Sequence, residues 1–303
     1  MNHFRQHNLL ITASLLSQLY CCRTPPRDGA ASAPKLEVDD RLTPESQKLV
    51  DVSAKIETFV NQGLNKIRTQ YKNDPSLIES DFHKFAGDVS TYLTKARKKS
   101  GIVILGFTIV PYTEVEAWAL ETLDPKNNEI LVIPFDQSRY KDNPVGVFCA
   151  RVPSHMHRSL ADFTVGPVIK VHQTLIGVDK LSHFLEQGFW YYDAKLSAAE
   201  RHGFGQYMEG DPSLAKDQYA KYQRIFTSYC GSCSRFGHYG SEASGVISFA
   251  DMEANESGFN FYKQLEKDPL HYHFSLSDYP YDKWNEVNTP SQYARCVTAT
   301  DQN

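Results

Sequence analysis

Apolar residues after position 42 recur at the three- and four-residue spacing of an α-helix. Residues 43–71 predict one long helix, because Thr43 can cap it and Pro44 fits its first turn. Its expected core face consists of five aliphatic residues: Val50, Ile56, Val60, Leu64 and Ile67. Residues 76–99 predict a second helix, so we expect an antiparallel helical hairpin over residues 43–100.

The pattern changes in the middle of the chain, where short β-branched and aromatic runs are bounded by Gly, Pro, Asn and Asp. Four runs predict strands: GIVILGFTIV (101–110), EILVIPF (129–135), VGVFCARV (145–152) and GPVIKVHQTLIGV (166–178). Helical patterns return near residues 178–198, 211–229 and 248–266. The prediction is an α+β fold, dominated by helix, with a small central sheet of short strands, and residues 101–303 as its main domain.

The N-terminal segment is typical of export. Residues 9–20, LLITASLLSQLY, form an apolar stretch that is too short to span a bilayer, and Cys21 and Cys22 follow it. Residues 1–22 therefore predict a signal peptide of the lipoprotein type, with Cys22 or Cys21 lipidated, and residues 23–42 a flexible tether. We expect a periplasmic, outer-membrane-anchored or secreted protein whose partner is the membrane, reached through a lipid anchor. The alternative is a cytosolic protein with an apolar N-terminal helix.

Charge and cysteine content narrow the function classes. A net charge of -4 and an isoelectric point near 6.3 argue against a nucleic-acid-binding protein. Export would permit disulfides among the four remaining cysteines, which are Cys149, Cys230, Cys233 and Cys296. Four cysteines allow three pairings, and the sequence does not choose among them. The single CxxC favours a structural disulfide, because a four-cysteine zinc site would need a second CxxC. A thioredoxin-like redox motif would need a following helix, whereas the Gly/Ser/His-rich run SRFGHYGSEASG follows.

Residues 177–193, GVDKLSHFLEQGFWYYD, carry the first candidate chemistry. On a helical wheel of about 100° per residue, the polar residues fall opposite an apolar side. These polar residues are Asp179, His183, Glu186 and Asp193. Alone, this pattern is typical of an amphipathic helix with a solvated face.

The helix predicted near 248–266 differs, because Asp251 and Asn255 lie on its apolar face. A buried carboxylate costs several kcal/mol unless it is paired. His183 and Lys180 are the natural partners, and Gly258 would let another backbone approach closely. We therefore expect an Asp/His/Asn centre between two helices.

This centre has three open interpretations. It is a structural polar network, a binding site, or a catalytic or metal site. In the last case Asp179, His183 and Asp251 are the expected ligands of a divalent metal whose identity the sequence leaves open. Whether the protein is an enzyme is open at this point.

Three motifs resemble a group of uncharacterised bacterial envelope proteins, many with lipoprotein signals. IGVDKLSHFLEQGF resembles their Ile-Gly-x-Asp-Lys-x-x-His-Phe motif, and GVISFADMEANESGFNFY is similar to their Ala-Asp-x-x-Ala-Asn-x-x-Gly motif. WNEVNTPSQY resembles their closing Asn-Pro-x-x-Tyr element, although Thr289 interrupts the Asn-Pro pair. The resemblance covers roughly residues 145–293. It implies that Asp179, Lys180, His183, Asp251 and Asn255 form one functional or structural centre, and it implies no known activity.

Other histidine patterns suggest competing chemistries. HQTL (172–175) and HFSL (273–276) resemble the paired elements of two-histidine phosphoesterases. HMH (155–157) and HYH (271–273) would chelate a metal if each lay on a strand. Nucleotide-binding and common hydrolase motifs do not occur. The sequence thus predicts an exported envelope protein, with a metal- or histidine-dependent hydrolase of an envelope component as the alternative. An envelope-polymer or protein partner is left unspecified.

Overall fold

The fold is known from a computed structural model, which describes residues 44–95, 101–104, 107–111, 113–131, 167–211, 213–230 and 246–293. Helices dominate these residues, and the strands are short and antiparallel. The predicted α+β class, dominated by helix, is confirmed. The signal peptide, the tether and most of the cysteines lie outside the described residues.

The first predicted helix is split in two. Helix α1 is Pro44–Gln47 and α2 is Ser53–Gln70. The break arises because the intervening backbone pairs with other segments: Val50 N donates to Asn128 O and Val52 N to Lys170 O. Val50 is consequently exposed rather than in the core, which corrects its prediction, whereas Ile56, Val60, Leu64 and Ile67 are buried as expected.

The second predicted helix consists of α3, Ser76–Ser80, and α4, Phe82–Thr94, separated at Asp81. Asp81 caps α4 by accepting a hydrogen bond from Lys84 N. Helices α2 and α4 share one hydrophobic cluster with residues from the rest of the chain. The predicted hairpin is therefore packed into the same core as the later elements.

The strands form three separate two-stranded pairs in the described part of the chain, rather than one central sheet. Strands β1, Gly101–Ile104, and β2, Phe107–Pro111, form a hairpin, as do β3, Val168–Val171, and β4, Thr174–Gly177. Strands β5, Val246–Ile247, and β6, Gln292–Tyr293, were not predicted. Of the predicted run 129–135, Leu131 forms a single bridge with Val168, and the run 145–152 lies outside the described residues.

Helix α5, Glu114–Thr122, lies between two of the predicted strand runs, where no element was predicted. The predicted helix at 178–198 is instead α6, Asp179–Ser182, then a π-helical turn, His183–Gln187, then α7, Gly188–Asp193. An unpredicted helix α8, Ala198–Glu209, follows, and then α9, Lys216–Cys230. Helix α10, Phe249–Lys267, matches the prediction within two residues.

Among the residues that the structure describes, buried apolar side chains form two clusters. The first core cluster unites α2, α4, α5, the β3–β4 hairpin, the π turn and α10 around the fully buried Trp284. The second core cluster joins the end of α7 to α8 and α9, through residues such as Tyr191, Phe204 and Phe226. Among the described helices, none is long and apolar enough to cross a membrane.

Candidate functional site

Two glycines let the π turn and α10 approach closely. A Cβ added to Gly258 would lie 1.8 Å from the carbonyl oxygen of Phe184, and one added to Gly188 would lie 2.5 Å from the Cα of Gly258. Only residues without a Cβ permit this distance between two backbones. The close approach that the sequence predicted at Gly258 is confirmed, and it places His183 against α10.

The π turn explains why the helical wheel failed in this stretch. Gly188 N donates to His183 O, a five-residue separation that widens the turn and changes which side chains share a face. His183 is buried instead of solvated. Glu186 and Asp193, also predicted to point outward, are only partly exposed, and Asp193 Oδ1 lies 2.7 Å from Nε2 of His83.

The imidazole of His183 lies between Asp251 and Asn255, both on α10. Its Nε2 is 3.3 Å from Asp251 Oδ2, and its Nδ1 is 3.1 Å from the side-chain amide of Asn255. Asp251 and Asn255 are buried, as their position on the apolar face predicted. The predicted pairing of His183 with Asp251 is therefore confirmed.

The side-chain amide of Asn255 determines which nitrogen of the neutral His183 ring carries the proton. The amide can pair with Nδ1 in either of its two orientations. With the amide nitrogen toward the ring, Nδ2 donates to Nδ1, and the proton on Nε2 faces Asp251. With the carbonyl toward the ring, Nδ1–H donates to Oδ1, and in the neutral ring Nε2 carries the lone pair that a metal would bind. In that orientation Asn255 Nδ2 donates to Gln187 Oε1 at 3.1 Å and to the hydroxyl of Tyr191 at 3.4 Å. A histidine that ligates a metal is usually held in this way through its second nitrogen.

The side chain of Lys180 is only 1% exposed, and its ammonium forms ion pairs with three carboxylates of the centre. Its Nζ lies 2.7 Å from Asp251 Oδ1, 3.2 Å from Asp179 Oδ2 and 3.6 Å from Glu286 Oε1. A buried ammonium is strongly unfavourable without such partners. Burial raises the pKa of Asp251, but the charges of His183 and Lys180 outweigh burial and hold that pKa below its usual value.

Two further buried acids, Glu209 and Glu286, lie next to these residues and were not predicted from the sequence. Ser248 N donates to Glu209 Oε2 at 3.1 Å, and Ser248 Oγ donates to Glu286 Oε1 at 3.2 Å. Burial and the nearby Asp251 raise the pKa of Glu209 well above its usual value. Glu286 lies within WNEVNTPSQY, the one sequence signal near it, whereas Glu209 lies in α8, which the apolar pattern did not predict.

A second acidic pair lies on the α5 side of the π turn. Thr113 N and Oγ1 donate to Glu116 Oε2 at 2.7 and 2.8 Å, and Thr113 Oγ1 also lies 2.5 Å from Ser182 Oγ. Burial and the charge of Glu116 raise the pKa of Glu186 to about 8. The Thr113-x-x-Glu116 spacing is a capping-box signature that marks Glu116 in the sequence, whereas no local pattern points to its neighbour Glu186.

Three of these side chains could hold a metal ion. One ligand atom each from Asp179, His183 and Asp251 lies within 4.8 Å of the others, which is the set that the sequence suggested. Asp179 is 39% exposed, against 10% for His183 and 11% for Asp251. The group therefore reaches the protein surface through Asp179.

The competing histidine motifs lie elsewhere. His172 occupies the β3–β4 turn, where its ring packs 4.9 Å from that of Tyr281, and His273 is exposed. His271 lies in the turn after α10 and pairs with Asp268, so HYH is not on a strand as its chelating geometry would require. HMH and three of the four cysteines outside the leader lie outside the described residues.

Comparisons of this chain with protein-family models, with curated proteins and with solved structures find no match.

Proposed function

We propose that this chain is a divalent-cation-binding protein of the bacterial cell envelope. The observation that carries the proposal is the convergence of Asp179, His183 and Asp251, whose ligand atoms lie within 4.8 Å of one another. A donor set of two carboxylates and one imidazole suits a first-row divalent cation such as Mn²⁺ or Zn²⁺.

The surroundings of the three ligands support this proposal. Asn255 can hold His183 in the tautomer with a free Nε2. Lys180 balances part of the negative charge without occupying the side of Asp251 that faces the imidazole, because it contacts Oδ1 while His183 contacts Oδ2. The hydrogen bond to the second nitrogen of the imidazole is typical of histidines that ligate metals.

The test is cation binding by the purified full-length chain after chelation. We expect Mn²⁺ or Zn²⁺ to raise the melting temperature, since a ligand at a hundred times its Kd stabilises a fold by about 2.7 kcal/mol. Asp179→Asn should fold normally, because Asp179 is the most exposed ligand, but lose most of this effect. His271→Ala, at an exposed histidine that also pairs with an acid, is the matched control and should keep it. Absence of any cation effect on the wild-type chain contradicts the proposal.

The proposed envelope location is supported by the sequence of residues 1–42 alone. We expect the full-length chain to fractionate with membranes and to incorporate a labelled fatty acid. Cys22→Ser or Cys21→Ser should abolish labelling, with Cys230→Ser as the control that retains it. Labelling that survives the double Cys21/Cys22 substitution argues against lipidation there.

A metal-dependent hydrolase acting on an envelope component is the second candidate. It is favoured by the number of ligands: the described residues supply three, which leaves coordination positions for water, whereas structural zinc sites usually have four protein ligands. The exposure of Asp179 gives these positions access to solvent. A bound divalent ion would lower the pKa of a coordinated water.

The hydrolase candidate predicts that the metal-loaded chain cleaves an ester, phosphoester or amide in isolated cell-envelope material, and that Asp179→Asn does not. Turnover that persists after chelation would instead favour a metal-free histidine mechanism. A loaded chain that binds metal but leaves all three bond types intact points to a binding protein.

A further inference from the structure

The ammonium of Lys180 occupies the kind of position that a second cation takes in a two-metal site. In such sites a carboxylate bridges two cations that lie about 3.5–4 Å apart. Here Asp251 presents Oδ1 to Lys180 Nζ, at 2.7 Å, and Oδ2 to the side of the proposed cation, where His183 Nε2 lies 3.3 Å away. Asp251 thus bridges the lysine and the candidate metal position.

Lys180 also contacts acids as a metal ion would. Its Nζ lies 3.2 Å from Asp179 Oδ2 and 3.6 Å from Glu286 Oε1, in addition to Asp251. Three carboxylates around one buried positive centre resemble the oxygen-rich environment of a hard cation. The side chain reaches this position from α6 with almost no exposure to solvent.

The carboxyl of Glu209 is the independent sign that this position is suited to a cation. Glu209 is 1% exposed, and its Oε1 has no hydrogen-bond partner among the described residues. Ser248 contacts Glu209 Oε2 through its N, at 3.1 Å, and Glu286 Oε1 through its Oγ, at 3.2 Å, so the Glu209 carboxyl lies beside the same acidic group. A buried oxygen without a partner is unfavourable and is a ready ligand for a cation placed beside it.

We propose that Lys180 serves as a built-in second cation, which holds Asp179 and Asp251 at ligand spacing and limits the centre to one metal ion. Without the ammonium, Asp251, Glu286 and Glu209 would present oxygens to a second ion. This inference rests on the proposed cation site, and it assigns Lys180 a positioning role rather than a catalytic one.

The test compares the Mn²⁺ stoichiometry of the wild-type full-length chain with that of Lys180→Met, which keeps the length of the side chain and removes its charge. We expect one Mn²⁺ per wild-type chain and one additional Mn²⁺ per Lys180→Met chain, the latter with the electron paramagnetic resonance signal of a coupled pair. Lys180→Arg should retain the wild-type number. Lys221→Met, at an exposed lysine that is also paired with an acid, is the matched control and should change nothing.

The additional ion should depend on Glu209. Adding Glu209→Gln to Lys180→Met should return the count to the wild-type value, whereas Glu209→Gln alone should leave it unchanged. A lysine with a purely structural role would alter the melting temperature but not the number of bound ions. If Lys180→Met is unfolded without metal, refolding it in the presence of Mn²⁺ should recover both the fold and the additional ion.

The two proposals fail in different ways. The cation-site proposal is judged by the wild-type count, and a count of zero overturns it. The lysine inference is judged by the difference between Lys180→Met and wild type. It is overturned if folded Lys180→Met binds no more Mn²⁺ than the wild-type chain, or if the wild-type chain already binds a coupled pair.

Discussion

Asp251 divides its two carboxylate oxygens between Lys180 on one side and His183 on the other. Because these basic groups hold its pKa below the usual value, Asp251 stays ionised in the folded chain at neutral pH. Its place at the start of α10, where Ser248 caps the helix, gives its charge a favourable interaction with the helix dipole as well. One side chain therefore connects the helix end, the lysine and the imidazole.

Asp251→Ala should be strongly destabilising, by about 3 kcal/mol or more, because it leaves part of a buried charge uncompensated. Glu253→Ala is the matched control, since Glu253 lies two residues further along α10 and pairs with Lys283 at the surface. We expect the control to cost less than about 1 kcal/mol. Denaturant unfolding followed by circular dichroism measures both. Equal losses for the two variants would show that the Asp251 network contributes little to stability.

Glu186 makes the stability of the fold depend on pH. Its pKa is about 8 in the folded chain against 4.5 in the unfolded one, so between these values the folded state binds the additional proton. The free energy of unfolding should therefore fall as pH rises from about 5 to about 8, by roughly 2 kcal/mol after allowance for solvent screening.

Glu186→Gln should remove this component of the pH dependence and stabilise the chain above pH 8. Glu121→Gln, at an exposed acid of α5, is the control and should leave the pH dependence unchanged. Melting curves recorded over that pH range measure the effect, and a Glu186→Gln curve parallel to the wild-type curve would contradict the assignment to Glu186.

The central part of the site was predictable from the sequence because burying Asp251 and Asn255 on an apolar face requires partners, and only a few residues could supply them. The remaining acids were not. Glu209 and Glu286 become neighbours of Lys180 only through long-range packing of α8 and of the segment after α10, and no local spacing encodes that contact. Glu186 was assigned to solvent because the wheel assumed a regular α-helix.

At the scale of elements, α10 and the α6–π–α7 segment form the frame that carries the centre. Their contact is fixed by Gly188 and Gly258, and the aromatic rings of Phe184 and Phe261 pack 5.4 Å apart one turn from the crossing. The close contact at Gly188 and Gly258 fixes the position along α10 at which His183 contacts Asp251. It follows that a change at the crossing should affect the centre even though neither glycine contributes a ligand atom.

Gly258→Ala should destabilise the chain by about 3 kcal/mol, since its Cβ would meet the Phe184 carbonyl oxygen at 1.8 Å. Gly87→Ala in α4 is the control: its Cβ would lie 3.4 Å from Phe189, an ordinary contact, and alanine favours the helix by up to about 1 kcal/mol. Thermal melts of the two variants provide the comparison. A Gly258→Ala chain as stable as wild type would mean that the helices separate without cost.

The sequence predicted the long amphipathic elements best. Helices α2 and α10 followed their apolar periodicity, because each buries a stripe of its surface. Helices α5 and α8 were not predicted because neither has a clear apolar stripe, although the capping boxes at their starts, Thr113 with Glu116 and Ser197 with Glu200, are visible in the sequence. The paired strands were predicted by composition, but whether separate hairpins join into one sheet is decided by tertiary packing.

Across the whole molecule, the centre lies between the two core clusters. Phe184, next to His183, belongs to the first core cluster, and Tyr191, which contacts Asn255, belongs to the second. Arg201 provides another link, because it binds Glu256 of α10 through two hydrogen bonds of 2.6 Å. The second core cluster is the smaller one, with eight buried residues.

Hydrogen exchange should therefore show two levels of protection in the described helices. We expect the amides of α8 and α9 to exchange faster than those of α2, α4 and α10, because less buried apolar surface stabilises them. Arg201→Met should widen this difference, whereas Arg224→Met, at an exposed arginine of α9, should not. Mass spectrometry measures the exchange. Equal exchange rates in all five helices, in both variants, would contradict the prediction of two levels of protection.

The π turn at His183–Gln187 also determines how this stretch tolerates changes in length. Removing one residue from within it would let the segment close into a regular α-helix while the residues after it stayed nearly in place, because the π turn holds one residue more than an α-helical turn between the same two ends. His183 and Gly188 could then keep their places against α10, whereas the side chains between them would change direction. During evolution this turn should accept the loss of one residue more readily than the regular helices beside it, and an alignment that opens no gap here would misplace either the histidine or the glycine.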